Sequence, residues 1–257
     1  MKYKLGKNPA VFDRRTLRFG DYVKPEVEPP PASVDYGARV DSWPMYDNDR
    51  YGDCTCAAAG HMIQSWTANA GKEVTPSDQS VLEFYEHFVG TPPPPDAGCS
   101  MLEVLRYWRS TGVARHKVLA FTALELENEV QAKDALWMFG GVYIGVELPD
   151  FATRGDMLSV PWVVPPRGPV GDAAPNPNNG HCIPAVAYDA RNLYVVTWGA
   201  LKSMSWQFYR VYAEEAYAVL SKDFVERSGR TIAGFDLATL EEDLAKIPHL
   251  ASPVPAA

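Results

Sequence analysis

Apolar residues recur at helical spacing through the first half of the chain, after an N-terminal stretch without a regular pattern. Three helices are predicted there, in the segments CTCAAAGHMIQSWTANAG, TPSDQSVLEFYEHFVG and CSMLEVLRYWRSTGV. We expect Thr75 to cap the second helix, with Pro76 in its first turn. Ser100 and Glu103 have the spacing of a capping box at the start of the third. A fourth helix is predicted in ALELENEVQAKDALWMF, whose first turn is acidic.

The pattern then changes to short segments rich in β-branched and aromatic residues. Four antiparallel strands are predicted in GGVYIGVELP, CIPAVAYDA, NLYVVTWGA and SWQFYRVYA, with a hairpin at AYDARNLYVV. A long irregular stretch precedes this hairpin and ends at His181, and loops of such length commonly carry function. Leu237, Leu240 and Leu244 predict one last amphipathic helix near the C-terminus. The elements together favour an α+β protein.

Composition narrows the classes of partner. The chain has 46% hydrophobic and 22% charged residues, which is typical of a globular protein. Its 24 basic and 32 acidic residues give a net charge of −8, which disfavours nucleic acid and anionic membranes as partners. The N-terminus lacks the pattern of a secretory signal and no segment reaches the length of a membrane span, so we expect a cytoplasmic protein. The proline-rich KPEVEPPPAS cannot form regular helix, so the arm that contains it must lie on the rest of the protein.

The four cysteines are too sparse for a disulfide scaffold. Cys54 lies at the predicted start of a helix, where backbone N–H groups and the helix dipole stabilise a thiolate and lower its pKa. Cys56 would project about 200° away from Cys54, toward the core. That angle argues against a redox pair or a zinc clip, although Cys99 and Cys182 leave a zinc site open as an alternative. Cys54 is therefore the candidate nucleophile, and a small buried hydrophobe is its alternative interpretation.

A nucleophilic cysteine usually needs an imidazole as its partner. His61 would lie roughly 10 Å along the helix from Cys54, which is beyond hydrogen-bond reach. His87 falls in an apolar helix and His249 in the tail. His181 follows the long loop and opens a strand, so we expect it to face a cleft. Its alternative interpretation is an ordinary histidine at a strand edge.

Three blocks of the sequence resemble papain-like cysteine peptidases, in the order of that family: PPASVDYGARVDSWPMYDNDRYGDCTCAA, GCSMLEVLRYWRSTGV and NGHCIPAVAYDARNLYVVTWG. In the first block Pro44 falls on the family's proline, Asn48 on its oxyanion-hole glutamine and Cys54 on its nucleophile. NDRYGDCT and TWGALKSMSW are similar to uncharacterised papain-like proteins of bacteria and their phages. In the third block, Val196 stands where the family has the asparagine that orients the histidine.

The resemblance implies an α+β fold of two lobes, with a helical left lobe, an antiparallel β right lobe and a substrate cleft between them. Its catalytic residues would be Cys54, His181, Asn48 in the oxyanion hole and Thr197 in place of the missing asparagine. Four further residues would line the cleft: Gly52, Asp53, Gly180 and Trp198. The substrate would be a peptide or protein, with no cofactor and no metal. As alternatives, Asn48 fits a turn residue and Thr197 an ordinary strand residue.

The predicted organisation is an arm at 1–47 on the β lobe, a helical lobe at 48–115, a β lobe at 116–233, and a helix and tail at 234–257. The arm could instead occupy the cleft as a built-in inhibitor. Three functions remain open: a thiol hydrolase of peptide or amide bonds, an inactive binding or virion-associated protein of the same fold, and a thiol acyltransferase.

Overall fold

A computed structural model describes residues 3–21, 29–94, 97–154 and 159–224. The helices within these ranges are α1 Cys54–Asn69, α2 Asp78–Val89, α3 Met101–Ser110, α4 Glu129–Phe139 and α5 Trp206–Tyr212. The strands are β1 Leu17–Arg18, β2 Val34–Asp35, β3 Val118–Ala123, β4 Val142–Glu147, β5 Gly180–Tyr188, β6 Asn192–Thr197, β7 Ala200–Ser205 and β8 Ala213–Ser221. The helix that we predicted around Leu240 lies outside the described residues.

The α1 helix is buried along its whole length, because the sheet and the other helices of its lobe surround it. Trp66 of α1 stacks on Trp108 of α3, with ring centroids 5.5 Å apart. On its other side α1 packs against β5, which is buried on both faces. Strand β5 thus sets the position of the helix that begins at Cys54.

Two predicted helix starts are corrected. Ser77, not Thr75, caps α2, and its hydroxyl accepts a hydrogen bond from the Ser80 N–H at 3.2 Å. Helix α4 begins at Glu129 behind an Asn128 cap. It starts later than predicted because the chain up to Ala123 belongs to β3.

The strands form one mostly antiparallel sheet in the order β1-β3-β8-β4-β5-β6-β7, with β2 paired to β5. The β1–β3 pair is parallel. The predicted hairpin is confirmed as β5 and β6. The predicted strand in SWQFYRVYA is wrong, because this segment forms α5. Ser205 caps that helix by accepting from the Phe208 N–H at 3.1 Å, and its aromatic side chains are buried at helical spacing.

Helices α1 to α3 and the sheet make the two lobes, and the predicted α+β class is confirmed. The boundaries that we assigned to the arm, the lobes and the tail stay predictions. Part of the arm adds strands to the sheet, since β1 pairs with β3 and β2 with β5.

Among the described helices, none is long and apolar enough to cross a membrane.

Candidate active site

Cys54 is the first residue of α1 and its side chain is buried, with 1% of its surface exposed. Burial raises the pKa of its thiol to about 12, and the charge of Asp53 adds to this effect. Hydrogen bonds from the Cys182 and Gly6 backbones act in the opposite direction. The pKa therefore lies above the ordinary thiol value, not below it as the helix position predicts, because burial outweighs the helix N-terminus.

His181 is the second residue of β5 and is also buried. Its Nε2 lies 2.8 Å from the hydroxyl oxygen of Thr197, at the end of β6. Its Nδ1 has no hydrogen-bond partner within the described part of the chain. The ring stacks on Trp198 with centroids 4.3 Å apart and planes 13° apart. Thr197 and Trp198 thus fix the orientation of the imidazole, and one ring nitrogen is left unused.

Cys54 and His181 lie on neighbouring elements. The Cys182 backbone, next to His181 in β5, forms a hydrogen bond that acts on the Cys54 thiol. Nearby, the Tyr143 hydroxyl on β4 donates to the Thr55 carbonyl of α1 at 2.6 Å and ties the helix start to the sheet. Burial lowers the pKa of His181 to about 3, so the imidazole is neutral at neutral pH. The two side chains are thus both uncharged in this state.

Asn48 is buried and its side-chain amide is engaged by the loop that precedes α1. Its Nδ2 donates to Asp53 Oδ1 at 2.9 Å and to the Tyr51 carbonyl at 3.2 Å. These two bonds use both hydrogens of the amide. Burial raises the pKa of Asp53, against the opposing hydrogen bond from Asn48. In this state the amide supports the loop and has no hydrogen left for an oxyanion.

The start of the arm, residues 3–8, lies in the cleft, and we call it the arm segment. Tyr3 stacks on Trp198 with ring centroids 4.9 Å apart. The Lys4 N–H donates to the Asn48 carbonyl at 3.1 Å, and the Trp198 indole donates to the Lys4 carbonyl at 3.0 Å. The arm segment therefore begins on Trp198, which we predicted to line the substrate cleft, and on Asn48, which we predicted in the oxyanion hole.

The next residues of the arm segment bind the main chain on both sides of the cleft. The N–H groups of Gly6 and Lys7 donate to the Gly180 carbonyl at 3.2 and 3.1 Å. On the other side, the Cys99 N–H donates to the Gly6 carbonyl at 2.9 Å, and the Asn8 N–H donates to the Cys99 carbonyl at 3.0 Å. The pairing of Lys7 with Cys99 is a parallel β-bridge. These bonds use main-chain groups, so they hold the arm segment by its backbone.

Glycines make room for the arm segment. A Cβ on Gly6 would lie 1.9 Å from the Gly52 carbonyl oxygen. A Cβ on Gly98 would lie 2.3 Å from the Gly6 carbonyl oxygen, and one on Gly180 would lie 2.1 Å from the Lys7 carbonyl oxygen. Real Cβ atoms do not approach backbone this closely, so only glycine fits at these positions while the arm segment is in place.

The other thiols are buried and all four cysteines are free. Cys56 is buried, as is every residue of α1. Within the described ranges, no three histidine, cysteine or acidic side chains gather in a group that could hold a metal ion.

Sequence reasoning missed four residues here: Gly6 and Lys7 of the arm segment, and Glu214 and Glu215 of β8, whose carboxylates accept from the Lys7 ammonium. The glycine before a lysine in LGKN is the only local signal for the two arm residues, and the glutamates lie in a strand that the sequence pattern did not predict. Of the residues predicted from the sequence, the cleft residues Gly52, Gly180 and Trp198 all contact the arm segment.

No family model matches the sequence, and no curated protein matches it. Solved structures do match. Xylellain, a cysteine protease from Xylella fastidiosa, aligns with a TM-score of 0.65 and 15% identity over 85% of this chain and 96% of its own. Procathepsin L 3 from the Tenebrio molitor larval midgut aligns with a TM-score of 0.56 and 14% identity, over 85% of this chain and 76% of its own. The Carica candamarcensis cysteine protease CMS1MS2 aligns with a TM-score of 0.53 and 15% identity, over 74% of this chain and 98% of its own.

These neighbours are papain-like cysteine proteases, and the alignments span most of both chains. The predicted closeness to bacterial and phage proteins stays a prediction. The fold, however, is settled by the comparison: this chain has the two-lobed α+β fold of papain-like cysteine proteases.

Proposed function

We propose that the protein is a cysteine peptidase, with Cys54 as nucleophile and His181 as its proton acceptor, and that the arm segment keeps it latent. The observation that carries this proposal is the state of His181. Its Nε2 is held by Thr197 and its Nδ1 is unpaired, on the strand beside the helix that begins with Cys54. A buried nitrogen without a partner costs stability, and a catalytic role would explain why this one is retained.

In the covered state, burial favours the neutral thiol and the neutral imidazole. When the arm segment leaves, water and the helix N-terminus stabilise the Cys54 thiolate, and His181 Nδ1 accepts its proton. The thiolate attacks the carbonyl carbon of a peptide bond. The tetrahedral intermediate collapses, the amine leaves with the proton from His181, and water hydrolyses the thioester that remains on Cys54.

Two groups would stabilise the oxyanion. The backbone N–H of Cys54 is at the first position of α1, where the helix itself provides no acceptor. Asn48 would be the second donor, as its place in the sequence predicts. This role requires its amide to give up one of its bonds to Asp53 and Tyr51. Trp198 would shield the pair from water while it holds the imidazole by stacking.

The test compares two full-length variants that carry the same substitution in the arm. Gly6→Ala places a Cβ against the Gly52 carbonyl and should displace the arm segment. Gly20→Ala is the matched control, because its Cβ would meet only side-chain ends, Gln131 Nε2 at 3.0 Å and Glu125 Oε1 at 3.8 Å. We expect Gly6→Ala to cleave unstructured peptides, and the wild type and Gly20→Ala to be much slower.

Adding Cys54→Ser or His181→Ala to the Gly6→Ala variant should abolish cleavage. If Gly6→Ala cleaves nothing under any condition, the chain is a binding protein of this fold. If its main product with an added amine is the amide of that amine, the chain is an acyltransferase. Either result would refute the peptidase proposal.

A further inference from the structure

The Lys7 side chain is buried in a pocket formed by Gly145 of β4, Glu215 of β8 and Met101 of α3, although lysine is rarely buried without a partner. Its backbone follows Gly6, which lies at the Cys54 thiol. None of its side-chain surface is exposed. The ammonium donates to Glu214, to Glu215 Oε1 at 3.3 Å and to the Asn8 carbonyl at 2.9 Å. All three of its hydrogens thus have acceptors.

The two glutamates stand in strand β8 and belong to the body of the protein. The side chain of Glu215 is 7% exposed, and its Oε2 accepts a hydrogen bond from the Tyr217 hydroxyl at 2.8 Å. Its Oε1 is therefore the oxygen turned to Lys7. Glu214 is 23% exposed and also accepts from the Ala10 N–H at 2.8 Å, so part of its bonding depends on the arm. Glu215 is the acceptor that remains in place when the arm leaves.

The pocket has room for a long side chain because its wall is a glycine. Gly145 of β4 lies opposite Cys182 and Glu215 in the sheet. A Cβ at this position would lie 2.7 Å from Lys7 Cδ, 2.9 Å from Glu215 Cγ and 2.6 Å from Met101 Sδ. The aliphatic stem of Lys7 therefore fills the space that a larger residue would take, and its ammonium reaches the carboxylates.

Lys7 and the two glutamates stabilise each other's charged forms in the pocket. Burial acts to lower the pKa of Lys7, but the hydrogen bond to Glu214 and the charges of both glutamates outweigh it and the pKa is raised. Burial raises the pKa of Glu215, and the Lys7 charge opposes this. Without Lys7, Glu215 would be a buried carboxylate with no cation, which is costly. A lysine or arginine side chain from another peptide would restore the pair.

We propose that this pocket selects a lysine or arginine side chain of the peptide substrate, close to the bond that is cleaved, and that Glu215 determines this specificity. The inference rests on the proposed function, since it names the substrate class of the same site. The arm segment would then occupy the site with a side chain of the kind that the site prefers.

The test uses full-length Gly6→Ala and fluorescent peptides with the sequence of residues 3–12, bound in a fluorescence anisotropy titration. Peptides with lysine or arginine at the place of Lys7 should bind roughly a hundredfold more tightly than a peptide with leucine there, because leucine leaves the carboxylate buried and unpaired. Adding Glu215→Gln should reduce this preference to a few-fold. Glu103→Gln, at an exposed position, is the matched control and should leave the preference unchanged.

Equal binding of the lysine and leucine peptides would overturn the proposal, and so would a preference that survives Glu215→Gln. Cleavage of a peptide library by Gly6→Ala gives a second readout, in which the products should share a basic residue near the cut. Cleavage without such a preference refutes the pocket and leaves the peptidase standing. Lysine-dependent binding without any cleavage supports the pocket and refutes the peptidase.

Discussion

Replacing Thr197 with valine removes the hydroxyl that holds His181 and leaves a side chain of nearly the same shape. The hydrogen bond between this hydroxyl and His181 Nε2 is 2.8 Å long, and the two residues are 3% and 1% exposed. Water cannot replace the lost partner at such burial, so Nε2 is left unsatisfied. A buried polar group without its partner costs about 1–3 kcal/mol. We therefore expect Thr197→Val to lower the free energy of unfolding by about that amount.

Activity should fall as well, because an imidazole without its partner loses the fixed orientation that the proposed proton transfer from Cys54 to Nδ1 requires. If the same free energy separates the productive ring orientation from others, kcat/KM falls between about fivefold and about 150-fold. The assay is peptide cleavage by the full chain in the Gly6→Ala background, with stability followed by urea unfolding. Thr197→Ser keeps the hydroxyl and should retain most of the activity. Equal kcat/KM for the valine and serine variants would refute the role of Thr197.

Three further outcomes are expected. Lys7→Met in the full chain leaves Glu215 without its cation, so the arm segment should exchange its amide hydrogens faster than in the wild type. Unchanged exchange would contradict a stabilising Lys7–Glu215 ion pair. Lowering the pH should have the same effect: burial raises the pKa of Glu215, so its charge and the ion pair are lost as pH falls, starting above the usual glutamate value of about 4.3. If amide exchange in the arm segment, corrected for intrinsic rates, stays constant down to acidic pH, the Lys7–Glu215 ion pair does not hold the arm. In the Gly6→Ala background, Asn48→Ala should lower kcat by about a hundredfold or more, because the amide would stabilise the oxyanion. A loss of stability without a loss of kcat would show that the amide only supports the loop through its bond to Asp53.

Much of the fold could be read from local sequence. The helix that starts at Cys54 follows from good helix formers and a terminal glycine, and the β5–β6 hairpin follows from apolar runs around turn residues. The segment SWQFYRVYA could not be assigned in this way, because aromatic residues suit a strand and a buried helix equally. Its helix depends on the Ser205 cap and on burial of its aromatic side chains, and the sequence pattern does not show that burial.

The sequence predicted those residues of the candidate site that match a motif. Thr197, for example, was predicted from its separation of 16 residues from His181. The pocket was missed because Lys7 and Glu215 are 208 positions apart and neither belongs to a motif. The sequence also predicted the wrong direction for the shift of the Cys54 pKa, for a similar reason. A helix N-terminus can be predicted from the sequence, but the burial that outweighs it depends on the tertiary structure, in which Gly6 of the arm segment and Cys182 of β5 lie at the thiol.

The most direct test of the account is the pH dependence of Cys54 alkylation in the full-length chain, measured by mass spectrometry with Cys56 as internal reference. In the wild type we expect almost no reaction of either thiol at neutral pH, since burial raises the pKa of Cys54 to about 12. In Gly6→Ala, Cys54 should react with a pKa below the free thiol value of about 8.5, and this shift should vanish with His181→Ala. Equal slow alkylation of Cys54 and Cys56 in Gly6→Ala would contradict the claim that the arm segment covers a working Cys54–His181 pair.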